Sequence, residues 1–217
     1  MSKRNKILAT SLWGAAVLLM VGIVACLSEI RAHQAQASSV GAEIAEENQV
    51  QPPMPEFTVA PFALTNQFGQ HITNDTLKGH VWIASFIFTR CQQLCPMMSA
   101  EIETLQHKIK NPSVRIVSFS VDPKYDTPTV LKAYGQKYHA DFDKWMFLTG
   151  PTSAIGDVAT SLKLGVALGP NPAQLTHSDK LVLIGPDGKS RGIYTGIDDK
   201  QVNKLAEDAD KLAAGQS

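Results

Sequence analysis

Two cysteines lie four positions apart in the segment FIFTRCQQLCPMM. Cys91 follows an apolar run, and Cys95 precedes Pro96, a residue that suits the start of a helix. Backbone N–H groups and the positive end of the helix dipole favour thiolate over thiol at such a start. The spacing therefore predicts a redox-active dithiol or a site for a soft metal ion. Two buried, purely structural cysteines are the alternative, and the spacing and Pro96 exclude a C-x-x-C-H haem attachment.

Copper fits this pair of cysteines better than zinc, provided that an imidazole joins them. A closed zinc site takes four Cys or His ligands, and the segment supplies two. Two thiolates and one imidazole suit copper. Of the six histidines, His177 stands in a loop directly before an apolar run, although a solvated loop histidine would look the same on composition alone. Met97 could lie near a metal through its soft sulfur, whereas Met98 falls on the apolar stripe of the predicted helix.

Alternating strands and helices surround the dithiol in the predicted order of elements. Residues 81–88 are apolar at most positions, which is typical of a strand buried on both faces. The helix after the cysteines is predicted from Pro96 to Asn111, and a surface hairpin is expected between His71 and His80. The other predicted strands are 114–121, 145–148, 180–184 and 190–194, and the other predicted helices are 128–139, 153–162 and 198–213.

A dithiol between the first strong strand and its helix indicates a thioredoxin-like fold of the α/β class. The prediction is a central mixed β-sheet flanked by helices, with a tight turn at 185–188 joining the last two strands. In thioredoxin-like folds, the loop that carries His177 in this sequence faces the dithiol.

The first 56 residues predict a membrane anchor and a spacer. Residues 7–27 form an uncharged apolar run, long enough to cross a hydrocarbon core roughly 30 Å thick. The basic residues within 1–6 form a cytoplasmic n-region under the positive-inside rule, so the rest of the chain is exported. Residues 28–56 then predict a flexible tether, and 57–217 the folded domain. The alternatives are lipidation of Cys26 in the lipobox-like sequence IVAC and a cleaved secretory signal.

The charge balance argues against a nucleic-acid partner. The chain has 20 Lys and Arg against 20 Asp and Glu, a formal net charge of zero. The first 56 residues hold four of the basic and five of the acidic residues, which leaves 16 against 15 for residues 57–217. Phosphate binding needs a clear basic surplus, and the surplus of one in residues 57–217 is too small for it.

Three segments in this order, FTRCQQLCP, VSFSVDPKYDTP and LTHSDKLVLIGPDG, resemble the Sco/SenC family. That family comprises thioredoxin-fold, membrane-anchored copper chaperones of respiratory oxidase assembly. The resemblance covers roughly residues 60–197. It implies that Cys91, Cys95 and His177 are copper ligands and that Asp122 lies near the site.

Two positions depart from the family pattern. Thr176 stands where much of the family has an Asp before the ligand histidine, so it offers no carboxylate to orient the imidazole. Gln92 and Gln93 follow the first cysteine, where the family often has Pro-Asp. Neither departure removes a ligand of the implied copper site.

The resemblance implies a membrane-tethered copper metallochaperone, not an enzyme. It would carry Cu(I) or Cu(II) to the copper site of a respiratory oxidase subunit during cytochrome c oxidase assembly. Its expected location is the bacterial inner membrane, single-pass or lipid-anchored, with the C-terminal domain in the periplasm. The alternatives are a thiol–disulfide reductase that keeps acceptor cysteines reduced, which needs no contribution from His177, and a thiol peroxidase.

Overall fold

The apolar runs of the sequence form one mixed sheet. The computed structural model describes residues 29, 31, 56–166, 168 and 178–215. Its strands are β1 (Ala63–Asn66), β2 (His71–Thr73), β3 (Trp82–Ile87), β4 (Arg115–Ser120), β5 (Trp145–Thr149), β6 (Lys180–Ile184) and β7 (Ser190–Thr195). Across these described ranges the sheet order is β2-β1-β5-β4-β3-β6-β7. Strands β3, β4 and β5 are parallel to one another, whereas β6 pairs antiparallel with β3 and β1 pairs antiparallel with β5.

Helices occupy the connections between the strands. They are α1 (Asn74–Leu77), α2 (Leu94–Lys108), α3 (Pro128–Lys137), α4 (Thr152–Ser161) and α5 (Asp199–Ala214). Helix α2 packs against α5, and α3 packs against β5. The central mixed sheet with flanking helices confirms the predicted α/β architecture, and each strand and helix predicted between residues 81 and 213 is present with its ends shifted by less than one helical turn.

The core is centred on β3, every residue of which is buried, as its apolar run predicts. Phe86 of β3 stacks on Phe119 of β4 with 5.4 Å between the ring centroids. The predicted apolar stripe of α2 is confirmed, because Met98, Ile102 and Leu105 are fully buried. Side chains of this size each contribute about 1.5–3 kcal/mol of transfer free energy when buried. The packing therefore fixes α2 against the sheet, next to the end of β3.

The predicted surface hairpin between His71 and His80 is wrong. Strands β1 and β2 form a hairpin in which Leu64 lies opposite Ile72, and His71 begins its second strand. Gly69 adopts φ +81° in the turn, a conformation that glycine reaches without steric cost. Strands as short as these carry too little hydrophobic periodicity to be located from sequence.

The described chain enters the sheet beside the β6–β7 turn. The N–H of Ser190 donates to the carbonyl oxygen of Phe57 (2.9 Å). Ser190 pairs with Ile184 at the end of β6, and Ile184 pairs with Trp82 at the start of β3. The entry point therefore lies at the edge of the sheet where β3 begins, and the loop with the two cysteines lies at the edge where β3 ends.

The predicted anchor at 7–27, with Cys26, lies outside the described residues, as does nearly all of the predicted tether at 28–56. In the part of the chain that is described, no helix combines the length and the apolar character needed to cross a membrane.

Candidate functional site

The dithiol lies between the end of β3 and the first turn of α2. The N–H of Cys91 donates to the carbonyl oxygen of Phe88 (3.1 Å), which turns the chain directly after the strand. Helix α2 begins at Leu94, two residues before Pro96, so Cys95 already belongs to its first turn. N–H groups in a first turn lack carbonyl acceptors within the helix, and that of Cys95 donates to Cys91 Sγ (3.4 Å). The sulfur of Cys91 therefore acts as a cap of the helix.

The two thiols have different surroundings and therefore different acidities. Burial raises the pKa of the Cys91 thiol, but N–H groups of Cys95, Gln93 and Leu94 outweigh burial, so the net pKa lies below the ordinary value. Cys95 is fully buried, and burial raises the pKa of its thiol well above the ordinary value. The charges of Cys91 and Asp126 act in the same direction. The site combines a half-buried, more acidic thiol with a fully buried, less acidic one.

Cys91 is expected to react with iodoacetamide before Cys95 and at a lower pH than an ordinary thiol, because its pKa is lowered. Thiolates react and thiols do not, so the lowered pKa of Cys91 extends its reactivity toward neutral pH. Peptide mass spectrometry of the full-length chain across a pH series measures both rates. In urea the two cysteines should react alike, and equal rates in the native chain would contradict the asymmetry.

A buried carboxylate holds the residue at the start of the cysteine loop. Asp126 has no exposed surface and accepts hydrogen bonds from the N–H of Thr89 (3.1 Å) and from Thr89 Oγ1 (2.5 Å). Ser120 Oγ at the end of β4 donates to the same carboxylate (2.5 Å). Helix α3 is capped by the next residue, Thr127, whose Oγ1 accepts from the N–H of Val130 (3.4 Å). Asp126 therefore does not cap the helix, and its carboxylate binds the cysteine loop instead. In the sequence, the only sign of this role is that Asp126 lies beside Thr127, which already caps the helix.

A second aspartate holds the next residue of the loop. Asp122 Oδ2 accepts from Arg90 Nε (2.9 Å) and Arg90 Nη2 (2.5 Å), and the guanidinium lies 4.4 Å from the ring centroid of Tyr125. Arg90 is adjacent to Cys91, so Asp122 is placed beside the dithiol loop. Its carboxylate forms an ion pair there, and Tyr125 remains 47% exposed beneath the guanidinium.

His177 and Thr176 lie outside the described residues, and the chain resumes at Ser178. The carbonyl oxygen of Asp179 accepts from the N–H of Gly196 (2.7 Å). A Cβ built on Gly196 would lie 3.1 Å from that oxygen and 3.3 Å from Met98 Cε. Asp179 is therefore close to the side chain of Met98, which belongs to α2 and follows Cys95 by three positions.

The two methionines of the motif differ in burial, and only the core position of Met98 was predicted from the sequence. Met98 is fully buried in the core, whereas Met97 is 56% exposed. Over the described residues, no three Cys, His, Asp or Glu side chains form a ready group of metal ligands.

A mixed sheet with a dithiol at the start of the helix after a central strand defines a thioredoxin-like dithiol protein. A family model described as SCO1/SenC matches residues 50–214. The chain belongs to the SCO1/SenC family, as its motifs predict. The SCO1 protein homolog of Bacillus subtilis (strain 168) is 40% identical over 164 residues, which cover 74% of this chain and 84% of the relative.

Solved structures of family members share the fold. The chain is 38% identical to BsSco, described as a member of the Sco family of cytochrome c oxidase assembly proteins with a disulfide switch, at a TM-score of 0.67. That match covers 76% of this chain and 98% of BsSco. Bradyrhizobium japonicum ScoI, solved with copper bound, is 26% identical at a TM-score of 0.61, over 71% of this chain and 99% of ScoI.

Proposed function

We propose that this protein is a membrane-tethered copper metallochaperone that delivers copper to the copper site of a respiratory oxidase subunit. The observation that carries the proposal is the asymmetric dithiol at the start of α2. Cys91 offers a half-buried sulfur whose thiol pKa is lowered, and Cys95 places a second sulfur beside it. Soft thiolates are preferred ligands of Cu(I). A family member solved with copper bound supports the same cargo.

His177 is the proposed third ligand. Asp179 follows it by two positions and lies close to Met98 on α2. The support for His177 is its place in the sequence, three positions before β6, in the loop that faces the dithiol in thioredoxin-like folds. A site with three protein ligands leaves a coordination position for a ligand of the acceptor, and copper can then pass by stepwise ligand exchange.

The proposed location follows from the sequence before the domain. Residues 1–6 would lie in the cytoplasm and 7–27 would cross the inner membrane of a bacterium once, or Cys26 would carry a lipid in their place. Residues 28–56 would tether domain 57–217 on the periplasmic side. The supporting observations are the uncharged apolar run and the basic residues before it.

A thiol–disulfide reductase is the second candidate, favoured by the different acidities of the two cysteines. The Cys91 thiolate would attack a disulfide of the acceptor and form a mixed disulfide, releasing one acceptor thiolate. Cys95, after losing its proton to solvent, would then attack Cys91 Sγ. The second acceptor thiolate would leave, and two electrons would have passed from the Cys91–Cys95 pair to the acceptor.

Replacing His177 with alanine separates the two candidates. In His177→Ala, copper affinity of the full-length chain in detergent is expected to fall at least about 10-fold, because the imidazole ligand is lost. Exchange with a small aromatic disulfide should remain within about twofold, since this chemistry uses only the cysteines. Competition with a copper chelator and absorbance of the released thiolate measure the two effects.

The matched control is His107→Ala, at an exposed histidine of α2. It should leave both copper affinity and exchange unchanged. Unchanged copper affinity in His177→Ala would show that His177 is not a copper ligand. A wild-type chain that exchanges disulfides but binds copper no better than its own Cys91→Ser variant would favour the reductase.

A further inference from the structure

We propose that Asp126 and Asp122 are positioning residues that hold Thr89 and Arg90 and so fix Cys91 Sγ against the start of α2. The two aspartates lie four positions apart in the loop between β4 and α3, and each holds one of two consecutive residues before Cys91. The expected effect on copper affinity rests on the proposed function, whereas the expected effect on the reactivity of Cys91 does not.

The Asp126 contact removes the freedom of Thr89. Both its backbone N–H and its Oγ1 donate to the one carboxylate, so neither its peptide plane nor its side chain can turn without losing a bond. Ser120 Oγ holds the carboxylate from the other side, and it also accepts from the N–H of Asp122. The four residues Thr89, Ser120, Asp122 and Asp126 therefore form one hydrogen-bonded group, named here the aspartate clamp.

The Asp122 contact continues the restraint by one residue. Arg90 donates two hydrogen bonds to one carboxylate oxygen, and its guanidinium stacks on Tyr125, so the side chain is held on two sides. The N–H of Phe88 donates to Cys95 Sγ (3.4 Å), and that of Cys91 donates to the carbonyl oxygen of Phe88. Consecutive residues from 88 to 91 are thus each fixed by a hydrogen bond.

The placement of these bonds favours positioning of the cysteine over bracing of the sheet. Strands β3 and β4 already pair along their whole length, from Trp82 opposite Arg115 to Ile87 opposite Ser120. The bonds of the aspartate clamp to Thr89 come after the last residue of β3. They restrain the segment that leads to Cys91, whose sulfur must stay within reach of the Cys95 N–H.

The test compares Thr89→Val with Thr89→Ser in the full-length chain. Valine keeps the volume of threonine and removes the Oγ1 bond to Asp126, whereas serine keeps the bond. In Thr89→Val, alkylation of Cys91 at neutral pH is expected to slow about 3–10-fold, with its pH profile displaced upward, because the sulfur leaves the helix N–H groups. Copper affinity is expected to fall about 10-fold. Thr89→Ser should stay within about twofold of the unmodified chain in both measurements.

Thr104→Val is the matched control, since Thr104 lies on α2 and its exposed Oγ1 donates only to the carbonyl oxygen of Ala100 (3.2 Å). Urea unfolding shows whether each variant is folded. Should Thr89→Val unfold, Arg90→Gln breaks the Asp122 contact at a partly exposed side chain, and the same slowing of Cys91 is expected. An unchanged alkylation rate and pH profile in a folded Thr89→Val or Arg90→Gln would overturn the proposal. If the unmodified chain binds no copper, the metallochaperone fails, and the alkylation measurements still decide the role of the clamp.

Discussion

In Cys91→Ser, copper binding by the full-length chain is expected to fall at least about 100-fold, because a hard hydroxyl replaces the more acidic sulfur of the pair. Removal of a residue that merely orients a ligand costs about 10–100-fold in metal affinity, so loss of a ligand should reach or exceed that range. Cys91 is half-buried and outside the helix, and the substitution should leave the fold intact. A thiolate-to-Cu(II) charge-transfer band in the unmodified chain is expected to vanish in the variant.

Two control variants test whether the loss of copper binding comes from the removal of Cys91 Sγ. Cys26→Ser removes the third cysteine, and Met97→Leu removes a thioether that is 56% exposed beside the dithiol. Chelator competition should give each control the affinity of the unmodified chain. If Cys91→Ser keeps its affinity and its band, the copper site is elsewhere. A loss in Met97→Leu equal to that in Cys91→Ser would show that the dithiol alone does not define the site.

Replacing Asp126 with alanine is expected to lower the free energy of unfolding by about 3–5 kcal/mol. The carboxylate is fully buried, and its removal leaves Thr89 N–H, Thr89 Oγ1 and Ser120 Oγ without their acceptor. Buried donors that lose an acceptor cost about 1–3 kcal/mol each. Urea unfolding of the full-length chain, followed by circular dichroism, measures the difference.

Asp210→Ala is the matched control for this prediction. Asp210 also accepts from two backbone N–H groups, those of Lys110 and Asn111, but it lies half-buried at the surface. Water can replace it, so the expected loss is below about 1 kcal/mol. Equal losses of unfolding free energy in Asp126→Ala and Asp210→Ala would mean that the burial of Asp126 does not strengthen the contribution of its hydrogen bonds.

The effect of Asp126→Ala is expected to depend on pH. Burial raises the pKa of Asp126, because desolvation outweighs the hydrogen bonds from Ser120 and Thr89. The native chain therefore holds this proton more tightly than the unfolded chain, whose value is about 3.9. Between that value and the raised native one, the stability of the unmodified chain falls as pH rises. The difference in unfolding free energy between the unmodified chain and Asp126→Ala should be larger near pH 4 than near pH 7. A difference that grows with pH would contradict the raised pKa of Asp126.

The sequence predicts those parts of the fold that burial alone determines. Strand β3 and the stripe of α2 appear in the sequence as apolar patterns with the periods of a buried strand and an amphipathic helix. The dithiol is predictable because Cys91, Cys95 and Pro96 lie together in the sequence. Local chemistry of this kind needs no knowledge of how distant segments meet.

The parts that were missed depend on contacts between distant segments. Asp126 and Thr89 are separated by 37 positions, and they meet only because β3 and β4 pair in parallel and end at the same edge. Helix α2 begins at Leu94, and the N–H of Cys95 in its first turn donates to Cys91 Sγ, so a rule based on Pro96 places the helix start two residues late. His177, Thr176 and the predicted anchor lie outside the described residues and stay predictions.

The entry of the chain at one edge of the sheet has a consequence for how far the sulfurs can travel. A strand of the length of β3 spans about 20 Å, which approximates the separation of Phe57 from the dithiol edge. For a chain tethered through residues 28–56, a flexible segment of this length has an end-to-end distance of about 30 Å. If residues 28–56 are the flexible tether that the sequence predicts, the sulfurs stay within about 50 Å of the start of that tether, which gives an acceptor in this volume an effective concentration of about 5 mM. Spacer length, more than surface charge, would set the encounter rate of this nearly neutral domain.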